Sequence, residues 1–170
     1  MKKTILIAFI SLTAASLGYS KPEEAHPKEQ VSEKFNEEYK ASVENYDLNT
    51  PDGLAKKILS DLTAAFETSY INLHDSANDE DAAKALTGLI NEMVKLSAEG
   101  KAFESKYPDF VFTDKNENLK EEYRRLNKAA DTWLGMLIRA KFEYRNSEVF
   151  KKAFEELDAS MSSSDDEEKK

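Results

Sequence analysis

The chain has 170 residues, with 24 Lys and Arg against 33 Asp and Glu, a net charge of −9, no cysteine, five glycines and four prolines. Without cysteine there is no disulfide framework, thiolate metal site, c-type haem attachment or acylated lipoprotein cysteine. The acidic balance argues against nucleic-acid phosphate as the main ligand, because that ligand calls for clustered Lys and Arg. Scarce Gly and Pro among many Ala, Leu, Glu and Lys residues predict an all-α protein: one domain, with tails.

Lys2 and Lys3 precede an apolar run from Ile5 to Ala15, and Gly18 and Ser20 supply small residues before Lys21. This three-part layout predicts a secretory signal peptide over 1–20, cut after Ser20. The run is shorter than the roughly 20 residues a spanning helix needs. No later stretch reaches that length, so the expectation is a periplasmic or secreted chain with no stable membrane span. Cleavage removes Lys2 and Lys3 from the 24 basic residues, leaving 22 against 33 acidic.

Residues 21–30 are polar, and Pro22 and Pro27 interrupt any early helix, so they read as a flexible segment. Val31, Phe35, Tyr39, Ser42 and Tyr46 then keep helical spacing up to Asp47. Thr50-Pro51-Asp52 has the chemistry of a helix start: a hydroxyl cap, a proline at the first position and an acid at the positive dipole end. Ala55, Leu59, Leu62, Phe66, Ser69 and Leu73 mark the second helix, ending near His74. The polar turn Asp75 to Asp81 follows, where Asn78 or Ser76 can cap the third helix. Leu86, Leu89, Ile90, Met93, Leu96 and Phe103 carry that helix, with Gly88 and Gly100 as weak points, to a stop at Tyr107-Pro108. Phe110-Val111-Phe112 is expected to cover one bundle end rather than form a strand.

The fourth helix has the cleanest pattern. Leu119, Tyr123, Leu126, Ala130, Trp133, Leu137, Ala140 and Tyr144 alternate steps of four and three. After a break at Asn146-Ser147, Val149, Phe150, Ala153, Phe154 and Leu157 continue helical spacing. The expected architecture is an antiparallel bundle of four main helices over 31–160, with room for a fifth short C-terminal helix, then a disordered acidic tail over 161–170.

Four arrangements invite chemistry. Asp114-x-Asn116-x-Asn118 opens like an EF-hand, but Leu119 stands where the loop needs glycine and Arg125 where it needs a bidentate glutamate. It is therefore expected to be a helix start. The acidic turn 75–81 has oxygen ligands for a weakly held calcium ion, although acids at a helix N-terminus ordinarily serve the dipole. Glu23-x-x-His26 has di-iron spacing, but two histidines cannot furnish such a site. His74 with Met93 or Met136 has the donors for a non-covalent haem, against the ordinary roles of end-cap and core filler. Neither a nucleophile elbow nor a phosphate-binding glycine loop is present. No catalytic, cofactor or metal residue is therefore assigned, and the chain is expected not to be an enzyme.

The leucine-rich helix, the acidic turn before "DAAKALTGLINEMVKLSAEGKAF", the Tyr-Pro break and the helix around "LKEEYRRLNKAADTWLGMLIRA" together resemble a loose class of small exported bacterial helical proteins. The likeness covers 58–157. It implies an all-helical fold and brings no ligand or active residue. Helix four adds Leu134, Met136 and Ile138 to its seam, more apolar surface than one face requires. That surplus points to a protein or peptide partner, or to self-association in the bacterial envelope. The alternative is a small-ligand or metal-binding bundle using the 75–81 turn or His74.

Overall fold

The computed structural model describes residues 45–162. The expected export signal, the 21–30 segment, nearly all of the helix expected from Val31 and the last eight residues lie outside them. Four helices are described: α1 (Pro51–Asp75), α2 (Asp79–Lys106), α3 (Lys120–Glu143) and α4 (Glu148–Ser162), with a 3-10 turn at Glu117–Leu119 leading into α3. No strand occurs among the described residues, so the all-α class holds. These helices are the second to fifth of the sequence reading. α4 runs on to Ser162, so Met161, assigned by pattern to the tail, is helical and packs against the core.

The helix starts follow from side-chain capping. The Thr50 hydroxyl oxygen accepts from Gly53 N–H at 3.1 Å and donates to the Asp47 carbonyl at 2.8 Å. The Asp47 carboxylate accepts from Asn49 N–H at 3.0 Å, folding the 47–50 turn tightly beneath the first turn of α1. The approach is so close that a Cβ on Gly53 would stand 2.0 Å from the Asp47 carbonyl oxygen. At the opposite end Ser76 caps backwards, donating to the Asn72 carbonyl at 2.7 Å, while Asn78 caps forwards, accepting from Asp81 N–H at 2.9 Å. The two candidate caps of the acidic turn thus divide the work between one helix end and the next.

Long-range contacts fix the directions. Near the start of α1, Asn118 donates to Asp52 at 3.2 Å and Tyr46 to Glu122 at 3.3 Å; at its end the Tyr144 hydroxyl reaches the Ser76 carbonyl at 3.5 Å. α1 and α3 therefore lie side by side and run the same way. α2 returns antiparallel to α1. α4 starts beside the start of α2, where Ser147 donates to Asp79 at 2.6 Å, and runs parallel to it. Consecutive helices reverse direction, as in the expected bundle, while the spatial order is α3–α1–α2–α4. The remaining edge, between α3 and α4, closes near their turn: Tyr144 and Phe150 have ring centroids 5.5 Å apart, and Lys141 Nζ sits 4.1 Å over the Phe154 ring.

The loop from Tyr107 to Asn116 crosses the bundle end beneath the start of α1. Its aromatics fold inward around Phe103, whose ring lies 5.1 Å from those of Tyr107 and Phe110 and 5.5 Å from that of Phe112. The Phe110–Phe112 stretch is thus the expected cover. In mid-bundle, Trp133 of α3 packs edge-on to Phe66 of α1 at 5.2 Å. Its indole N–H donates to Ser69 Oγ at 3.0 Å, and the Ser69 hydroxyl donates to the Ala85 carbonyl of α2 at 3.4 Å. Ser69 and Trp133 are each 2 % exposed.

Two predictions follow from this geometry. Gly53→Ala should destabilise by about 1–3 kcal/mol through its clash with the Asp47 backbone, whereas Gly88→Ala, facing open space on an exposed helix surface, should stabilise by about 0.5–1 kcal/mol. Urea titrations of the two variants should shift their midpoints in opposite directions. Ser69→Ala leaves the buried indole N–H without its acceptor, while the Ala85 carbonyl keeps its bond within α2, and should cost about 1–3 kcal/mol. Combining it with Trp133→Phe should cost less than the sum of the two single changes, and a denaturant double-mutant cycle measures that coupling.

Candidate interaction surface

Among the described residues, those whose spacing suggests chemistry make the following contacts. Asn116 accepts from Asn118 N–H at 3.1 Å and donates to the Val111 carbonyl at 3.0 Å, tying the 3-10 turn to the aromatic loop. Leu119, in the EF-hand glycine position, is fully buried. Arg125, in the glutamate position, pairs with Glu121 at 3.2 Å. Hydrogen bonds from Arg124, with Arg125 beside it, hold the solvent-exposed Glu121 carboxyl down to about 2. This stretch is the helix start that the spacing predicts.

The carboxylates of the acidic turn point to separate partners. Asp75 meets His74 Nδ1 at 2.9 Å. Asp79 accepts from Ser147, and Asp81 accepts from Asn78 Nδ2 at 2.9 Å and Lys84 at 3.2 Å. Among the described residues, no group of three or more His, Cys, Asp or Glu is placed to hold a metal ion. His74, in the last turn of α1, stacks on Tyr70 with ring centroids 6.0 Å apart. Met93 and Met136 are partly buried against the core. Glu122, an acid that the sequence reading did not single out, is buried on the α1-facing side of α3, where it accepts from Tyr46 and has Lys56 Nζ 4.0 Å away. Among the described residues, every buried side-chain nitrogen or oxygen has a hydrogen-bond partner.

Two tyrosines bear on pH. Burial pushes the Tyr123 hydroxyl well above its ordinary value, with Asp114 adding to the effect. Tyr144 is raised by burial and by the charges of Glu143, Asp79 and Asp81, against a smaller opposing effect of Arg139.

The apolar surplus on α3 divides. Leu134 and Met136 are partly buried against the core, but Ile138 is 53 % exposed and Phe142, one turn further, 73 %. Phe142 was not singled out in the sequence reading because it falls off the heptad seam, yet Leu134, Ile138 and Phe142 at steps of four mark the same stripe. Arg145 lies 5.6 Å from the centre of the Phe142 ring. Val149, just past the α3–α4 turn, is half exposed. Single exposed apolar side chains are ordinary on a protein surface; an exposed phenylalanine one turn from an exposed isoleucine, near a helix-hairpin end, is the feature here suited to binding. Val94 on α2 and Val111 in the crossing loop are also exposed, on other elements. No helix among the described residues is long and apolar enough to cross a membrane. Comparison with protein-family models, with curated proteins and with solved structures finds no match to this chain.

The raised tyrosines make the fold sensitive to alkali. In the unfolded chain both hydroxyls ionise near their ordinary value of 10.0. In the fold they ionise later, so the stability they contribute is intact below that pH and lost as pH rises beyond it. Urea midpoints measured from neutral pH upwards should fall above about pH 10, and Tyr123→Phe should flatten that fall.

Proposed function

We propose that this chain is an exported, non-catalytic helical-bundle module that works by binding protein in the bacterial envelope, the exposed Ile138–Phe142 stripe being its contact surface. The observation that carries the reading is the exposure of these two side chains while every buried polar side chain of the described core has a partner. Interfaces are anchored by aromatic and Arg side chains, and Phe142 with Arg145 beside it is such a pair. Support for export comes from the layout of residues 1–20. The resemblance to small exported helical proteins bears on the fold alone and brings no catalytic residue.

The test is made in the host. Mass and N-terminal sequence of the isolated protein should begin at Lys21, and a photo-crosslinking residue at position 142 should give a discrete protein adduct that one at the exposed Thr132 does not. Equal crosslinking from both positions, or none from 142, would remove the stripe as the contact surface. An intact residue 1 would remove cleavage.

A further inference from the structure

The end of the bundle that carries Phe142 is electrically divided. On the α3–α4 side, residues 138–152 hold five basic side chains and two acidic ones. On the α1–α2 side, residues 74–84 hold four acidic side chains and one Lys, with His74 besides. The two sides meet where Ser147 bonds to Asp79 and Tyr144 reaches the Ser76 carbonyl. Arg139, Arg145 and Lys152 on the one side and Glu80 on the other are exposed. A chain with net charge −9 repels its own copies on the whole, but this end presents a basic half beside an acidic half, with an exposed apolar pair on the basic side.

A surface that carries both signs side by side is complementary to itself when turned through a two-fold axis. The basic half of each copy then faces the acidic half of the other, and both contacts form at once. We infer that the occupant of the Ile138–Phe142 stripe is a second copy of this chain, docked head to head through this end. The inference rests on the reading of the stripe as a binding surface and names its partner. Each Phe142 ring, carried on the basic half, excludes water against the α1–α2 end of the other copy, where Arg139 and Arg145 face Glu80 and the acidic turn. The contacts that now engage Asp75, with His74, and Asp81, with Lys84, within one copy are solvent-exposed and weak, so exchanging them for contacts across the interface costs little. With so few apolar anchors the dimer is a weak and reversible one, sensitive to salt because its register is set by screened charges.

Sedimentation of the full chain, as isolated from its host, from low micromolar to millimolar concentration tests this. The expected result is a monomer–dimer equilibrium that high salt weakens and that Phe142→Ser weakens about tenfold or more, with helical circular dichroism unchanged. Arg139→Glu/Arg145→Glu and Glu80→Lys should each dissociate the dimer alone and form a mixed dimer when combined, because the swapped charges again oppose one another. A dimer indifferent to Phe142→Ser and to the charge swap lies on another face and overturns the inference. A monomer at every concentration overturns it too. If position 142 still crosslinks a different protein in the host, the binding reading survives that result; if it crosslinks nothing, both fall.

Discussion

One hydroxyl ties three helices together. Ser69, on α1, accepts from the Trp133 indole of α3 and donates to a backbone carbonyl of α2. Both groups are buried where water cannot replace a lost partner, so the arrangement sets how α1, α2 and α3 stand relative to one another as well as how tightly they pack. An apolar seam tolerates sliding by a turn, since one leucine fills a hole much as another does. A donor and an acceptor that must meet on the same oxygen do not. The leucines and alanines around Phe66 and Trp133 supply the larger share of burial energy, and Ser69 selects one register from among those the seam allows.

The second constraint is the placing of the helix starts. Because the crossing loop returns the chain beneath the start of α1, α3 runs with α1 and α4 with α2. Two positive helix ends then sit side by side at Asp79 and Ser147. The sequence supplies a relay there. Phe150 N–H donates to Ser147 Oγ, whose proton goes to the Asp79 carboxylate, so one negative charge in the first turn of α2 also serves the start of α4. The same end carries the divided charge and the exposed Phe142, so the groups that order the helix starts border the surface proposed for binding.

The periodic features were legible in the chain. Thr50-Pro51, the Asn78 cap, the four-three seam from Leu119 to Tyr144 and the break at Asn146-Ser147 are local, and each appears where its spacing places it. The parallel pairing of α1 with α3 was not legible, because nothing local separates it from other ways of packing the same seams. Gly53 went unmarked for a related reason: its necessity comes from the Asp47 carbonyl folding back against it, which no spacing expresses. On the surface, the stripe was half visible. Ile138 and Leu134 stood out from the seam, whereas Phe142 became meaningful only through its exposure, and Met136 and Leu134 turned out to face the core.

The place of Ser69 between its two partners also bears on the order of assembly. Its link to Ala85 spans 16 residues and its link to Trp133 spans 64. Loop-closure entropy rises by about 0.6 kcal/mol for each doubling, so the second link carries about 1.2 kcal/mol more of that cost than the first. The α1–α2 hairpin can form from near neighbours, but α3 must be brought back across the whole of α2 and the aromatic loop before the indole finds its acceptor. Docking of α3 is thus the step that makes the fold long-range, and the speed at which this small helical chain assembles is governed by that one return rather than by the growth of its helices.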